Sequence, residues 1–316
     1  MDDTTKRLIE ALKKKREAEG YSLRSLASAI GVSFSSLGRM ERGEGEPDNN
    51  SRIRILEWLG EDAQALGLSF ESFAYVHFRA GKNIGSQTVH CLFQVADILK
   101  QHYGIKRIVK EHTPTKPESP LPEEATLSLS KPEMEAMAHS LRQELGLKDH
   151  QVLDPRMIVV DGVTVLTIRE IHGISRKMTA HLEGAGSTTW SAMSVPIDEE
   201  TEKWIIVLND LNNIARQNVS LLEEFWHILL GHKLTKIAKI ADAYGRTFDE
   251  SEEHDAFYLA AATLLPKSII RKVVKEQRDI DEIVEHYGAS PELVEYRVKR
   301  LGLWRAYRGK KVQIKS

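Results

Sequence analysis

Residues 111–124 read EHTPTKPESPLPEE and hold four of the chain's ten prolines with almost no apolar side chains. Proline fixes φ and removes a backbone donor, so such a stretch joins neither a helix interior nor a central strand. It reads as an extended linker. It divides the chain into two folding units, about 1–110 and 125–316, each long enough for its own core.

Composition narrows the class. With 28% charged and 41% hydrophobic residues, the chain reads as soluble and globular. No apolar run approaches the roughly 20 residues that cross a bilayer. The opening MDDTTKRLIE lacks the apolar segment of a secretory signal. One cysteine, Cys91, rules out an internal disulfide framework and a cysteine-rich zinc site. The expectation is a cytoplasmic protein without a membrane partner. A formal net charge of −2 means that any DNA-binding surface is local.

The first unit looks helical throughout. Leu8, Ala11 and Leu12 give an apolar stripe; Ser22 caps a helix running to Ile30; Gly31-Val32 turns sharply. Ser33 caps a helix to Met40, Gly43 and Gly45 end it, and another helix follows over about 50–59. Two short helices joined by a tight turn can lay the second in a major groove. Ser33, Phe34, Ser35, Ser36, Arg39 and Arg42 then face DNA. Arg39 suits a guanine edge and Phe34 a thymine methyl, while Ser33, Ser36 and Arg42 suit phosphates. Arg16 and Glu41 read as a structural ion pair between the first and third helices. The segment REAEGYSLRSLASAIGVSFSSLGRMERG resembles the XRE-type (phage-repressor-like) helix-turn-helix family, with Leu23 where that family often has a base-reading Gln. The resemblance implies a 1–65 domain binding a double-stranded operator as a homodimer. Residues 66–110 are expected to be a helical extension, with the amphipathic helix at 86–103 a candidate dimer element or a local lid.

The second unit mixes strands and helices. Ser130 and Glu133 form a capping box. Asp161-Gly162 lies between two β-rich runs and predicts a hairpin. KWIIVLND predicts a buried strand, followed by QNVSLLEEFWHILLGH as a helix. Strands first and helices afterwards predict α+β. On that helix Glu223 and His227 stand four apart, on one face, with metal-ligand spacing. Glu224 holds the general-base position beside them, and Asp255 is offered as a third ligand by a later helix of small residues. His232 reads as a helix-end residue, His254 as a neighbour of the site, and Phe225 and Trp226 as core or pocket wall.

From about 130 to 305 the chain resembles the ImmA/IrrE-type metallopeptidase family, in MEAMAHSLRQELGL, WIIVLND, the helix just quoted, DAFYLAAATLLP and GASPELVEYRVKRLGL. Glu223 stands where the family has its first His, and Asp255 where it has Glu. The resemblance implies a zincin-like α+β domain over 125–316. It implies a divalent metal, zinc first and manganese or iron(II) as alternatives given the carboxylate ligands, or a degenerate metal-free site. Three functions stay open. The chain is a transcription regulator that senses a signal and cleaves a repressor or itself, with a peptide paired along the strand 204–210. Otherwise it is a repressor that uses the site to bind a ligand or partner, or one member of a toxin–antitoxin or phage-defence pair. The stretch 279–303 also resembles a helix-turn-helix, and the tail RAYRGKKVQIKS is basic; the structural reading is preferred for both.

Overall fold

The computed structural model describes residues 3–60, 62–63, 72–80, 84–104, 129–198, 202–232, 235–240, 243–246 and 250–310. The expected linker at 111–124 and the last residues of the basic tail lie outside the described residues.

The N-terminal unit is helical up to residue 59: α1 (Asp3–Ala18), α2 (Leu23–Ile30), α3 (Phe34–Glu41) and α4 (Asn49–Leu59). The expected caps are present. Ser22, Ser33 and Asp48 accept from the backbone amides of Ser25, Ser36 and Ser51. Gly31 takes φ +64°, in the left-handed region that L side chains rarely adopt, so the α2–α3 turn favours glycine. Leu8, Leu12, Leu26, Leu37, Ile55 and Leu59 form the core of this unit. Arg16 locks α1 to α3 by donating twice to Glu41, at 2.7 and 2.9 Å.

The expected helical extension at 66–110 is corrected by the structure. Residues Ser72–Ala80 are a strand, β1, and Ser86–Tyr103 is a helix, α5. Both belong to the second unit. The six-stranded sheet has the order β2-β4-β3-β1-β5-β6, with β2 Val163–Thr167, β3 Trp190–Asp198, β4 Lys203–Leu208, β5 Thr235–Ile240 and β6 Ala243–Arg246. Only β2 and β4 run parallel; the other pairs are antiparallel. The apolar face of α5 is covered within the chain by Met193, Val195, Ile205 and Val207 of the sheet. Most of the stripe behind the expected dimer role is thereby used inside the chain; Tyr103, at its end, is 40% exposed.

The hairpin expected at Asp161-Gly162 is also corrected. The turn exists, since Gly162 has φ +75° and a β-carbon would lie 2.8 Å from the Glu202 carbonyl. Before it, Met157 and Val159 are 78% and 89% exposed, and no strand is formed there with any of the described residues. After it, β2 runs parallel to β4, so its partner lies further along the chain.

The sheet sits between two helical layers. Side chains alternate along a strand, and β4 is apolar on both faces. Ile205 and Val207 meet α5 and α7 (Arg176–Glu183), whereas Ile206 and Leu208 meet the larger layer. That layer comprises α6 (Lys131–Glu144), α8 (Ile214–Leu229), α9 (Glu250–Leu264), α10 (Lys267–Glu276), α11 (Ile280–Tyr287) and α12 (Pro291–Arg300), with α13 (Trp304–Tyr307) at its end. Ile283, Tyr287, Leu293 and Val298 are buried there, which supports the structural reading of 279–303. Arg297, with no exposed surface, donates to both oxygens of Glu135 at 2.7 and 3.0 Å and to the Leu265 carbonyl. Tyr258 also donates to Glu135; burial and that hydrogen bond push its hydroxyl up to about 12. Among the described residues no helix is long and apolar enough to cross a membrane.

Candidate metal centre and nucleic-acid interface

Helix α8 is buried on every side from Gln217 to His227. Asn213 caps it by accepting from the Arg216 amide at 2.9 Å. The Arg216 side chain ties its first turn to the start of β3, donating to Ser191 Oγ and the Thr188 and Trp190 carbonyls. At the other end, Trp226 Nε1 donates to Thr263 Oγ1 at 3.1 Å. Ala256, Ala260 and Ala261 are fully buried on α9, and their small side chains let the two helices approach closely.

Three side chains meet between these helices. Donor atoms of Glu223, His227 and Glu253 lie within 4.8 Å of one another. An ion with bonds of about 2.0–2.2 Å spaces its donors a little over 3 Å apart, so this group closes on a cation by small side-chain movements. His227 Nε2 is 3.9 Å from Glu253 Oε1, and its Nδ1 meets His232 Nδ1 at 3.0 Å. A ligating imidazole commonly hydrogen-bonds through its second nitrogen; here Nδ1 meets His232 and Nε2 lies on the Glu253 side. Two carboxylates and one neutral imidazole balance a divalent charge. The donor set fits the cofactor that the sequence implied.

Glu224 projects from the same turn toward the sheet, where the Ser194 hydroxyl donates to its carboxylate. On β3, Ala192 and Ser194 face α8, whereas Met193 and Val195 face α5. The small pair brings the sheet against α8, and Ser194 supplies a donor where Glu224 is buried. Glu223, Glu224 and His227 are 3%, 1% and 4% exposed, so only Glu253 reaches solvent appreciably.

The expected third ligand, Asp255, is not in this group. Its carboxylate meets His254 Nδ1 at 3.1 Å. Residues two apart on a helix differ by about 200° in direction, so Glu253 and Asp255 cannot both face α8. Sequence reasoning passed over Glu253, although ESEEHD offers three earlier carboxylates in the same turn. It also missed Ser194, and it gave His232 a helix-end role rather than contact with His227.

On the surface expected to meet DNA, Phe34 is 51% exposed and the Arg24 guanidinium lies 5.6 Å from its ring centre. Ser35 and Arg39 are exposed. Ser33 and Ser36 hydrogen-bond each other at the start of α3. Arg42 pairs with Glu44, whose carboxyl is held below its usual range by that hydrogen bond. Arg39 donates to the Glu44 carbonyl at 3.3 Å. Arg24 is a cation on this surface that the sequence reading omitted.

Comparison with protein families matches residues 12–61 to the helix-turn-helix domain and residues 184–299 to the IrrE N-terminal-like domain of peptidase family M78. The chain is a fusion of these two domains. No curated protein and no solved structure matches it. The M78 match begins at Gly184, in front of β3, and so contains α8 and the whole Glu223–His227–Glu253 group. Strand β1, which lies between β3 and β5 in the sheet, and helix α5, which packs on its face, precede it.

Proposed function

We propose that this chain is a DNA-binding regulator whose C-terminal domain is a metal-dependent peptidase. The observation that carries the reading is the convergence of Glu223, His227 and Glu253, with Glu224 beside them on α8. When bound, a divalent ion supplies the Lewis acidity that makes water and a peptide carbonyl reactive near neutral pH. Zinc, manganese and iron(II) all suit a group of two carboxylates and one imidazole.

The chain's own residues do the rest. Ser194 holds the Glu224 carboxylate by its hydrogen bond, in its proton-accepting form. Glu224 takes a proton from the attacking water, whose oxygen bonds to the peptide carbonyl carbon. The carbon–nitrogen bond then breaks, and Glu224 returns the proton to the leaving amine. Helix α3 enters the major groove through Phe34, Ser35 and Arg39, with Ser33, Ser36 and Arg42 at phosphates and Arg24 adding a further cation. A homodimer on a two-fold operator fits the short site that one such unit reads. Cleavage within 111–124 cuts the covalent link between the DNA reader and most of the peptidase domain, while β1 stays seated in the sheet and α5 on its face.

The low exposure of Glu223, Glu224 and His227 favours a second reading, in which the site binds a metal as a signal without turnover. Elemental analysis of the purified chain, with mass spectrometry after incubation with zinc or manganese, decides between them. The peptidase reading expects bound metal and fragments that Glu224→Gln abolishes. Metal without fragments supports the second reading, and fragments that persist in Glu224→Gln overturn the proton role.

A further inference from the structure

The strand first expected to hold a peptide, 204–210, has no free edge, because β4 lies between β2 and β3. Glu224 meets β3 through the Ser194 hydroxyl. One edge of β3 pairs with β4, where Ser194 stands opposite Ile206. On its other edge lies β1, antiparallel, with His77 opposite Ser194, Phe78 opposite Met193 and Arg79 opposite Ala192. Strand β1 also packs against α8. It changes partner at this step: Val76 and the residues before it pair with β5 instead of β3.

We infer that residues 72–80 form a built-in strand that occupies the peptide-pairing edge of the peptidase site and must leave before a substrate enters. Extended peptides bind by adding a strand to a sheet edge, and the main-chain hydrogen bonds carry the affinity. Here the edge beside the Glu224-bound serine is already paired, by a segment from outside the peptidase-family match. Glu223, Glu224 and His227 are buried in a site that has to admit a peptide, and β1 packs against the helix that carries them. The same occupancy also sets a route for regulation. Strand β1 follows the DNA-binding domain closely, and α4 of that domain packs on β5 and β6. Displacing β1 therefore disturbs the seat of the DNA reader, so peptide entry and the docked DNA-binding domain oppose one another.

This inference rests on the peptidase reading, and the test separates the two. In the full chain, Arg79→Cys is combined with Ala192→Cys. Directly opposed residues of an antiparallel pair lie about 4.5–5.5 Å apart at Cα, within disulfide range. The native Cys91 is buried and on another element. The probe is a fluorescein-labelled synthetic peptide of sequence SFAYVHFRA, offered with zinc or manganese and followed by anisotropy and mass spectrometry. The expected result is that mild oxidation forms the crosslink and weakens probe binding at least tenfold, that reduction restores it, and that Phe78→Pro without the crosslink binds more tightly than wild type. Failure of the disulfide to form, equal binding by oxidised and reduced protein, or absence of binding by both the reduced protein and Phe78→Pro overturns the inference. Gated binding without hydrolysis removes the peptidase reading and leaves the strand in place. Hydrolysis at the same rate in both redox states does the reverse.

Discussion

Replacing Arg297 by Met tests how the larger helical layer is held. The guanidinium has no exposed surface, bridges α12 to Glu135 of α6, and lies 5.4 Å from the Tyr258 ring centre of α9. Methionine keeps much of the volume and removes the charge. The Glu135 carboxylate, with 14% of its side chain exposed, then keeps only the Tyr258 hydroxyl as a donor among the described residues. Breaking one side of a buried pair costs about 3–5 kcal/mol. With a urea slope of about 2–3 kcal/mol/M, the midpoint falls by about 1–2.5 M. Tryptophan fluorescence reports it well, since four of the five tryptophans (Trp190, Trp204, Trp226 and Trp304) lie in the second unit. The pH dependence gives an independent check. Burial raises the Glu135 carboxyl, but the Arg297 hydrogen bonds and charge outweigh it and hold the group below its usual value. A depressed carboxyl stabilises the fold above its unfolded pKa of about 4.3 and loses that contribution as pH falls through the folded value. Wild type should show this acid-dependent loss, and Arg297→Met should show less of it. The double variant Glu135→Leu/Arg297→Met, in which no buried charge is stranded, should recover most of the stability. A loss under about 1 kcal/mol in the single variant, or a double variant no more stable than the single, refutes the reasoning.

Glu253→Ala should lose bound divalent metal in elemental analysis, whereas Asp255→Ala should retain it; the opposite pattern returns the third ligand to Asp255. His232→Ala should weaken metal affinity about 10–100-fold by titration, as loss of an orienting partner does elsewhere, and unchanged affinity removes that role. Arg24→Ala should weaken operator binding and lower the slope of log affinity against log salt by about one if the side chain meets a phosphate; an unchanged slope takes Arg24 off the phosphate backbone.

Local chemistry made parts of this fold legible and left others hidden. Ser22, Gly31, Ser33 and the Ser130–Glu133 box each act on neighbours three or four residues away, so their effect can be read in place. The helix at 86–103 was readable from Leu92, Ala96 and Leu99, but periodicity does not say which surface covers that stripe. Strand β1 was missed because its partners, β3 and β5, lie more than a hundred residues further on. The turn at Gly162 was real, yet a turn signal does not reveal that the outgoing strand pairs parallel with β4. At the candidate metal centre, the spacing of Glu223 and His227 fixed one helix face. That Glu253 rather than Asp255 lies beside them depends on how α9 is rotated against α8, which the sequence resemblance did not carry.

The sheet order has a consequence for how the chain is made. Ser72 pairs with Lys239 and His77 with Ser194, so β1 emerges from the ribosome long before either partner. The helices of residues 3–59 rely on local contacts, which form quickly, whereas closing such long loops is slow. A nascent chain can therefore carry a finished DNA reader followed by an unpaired strand. Open strand edges of that kind invite association between chains. Aggregation during synthesis should thus begin at residues 72–80, and co-translational chaperone binding should end once β5 has emerged and closed over them.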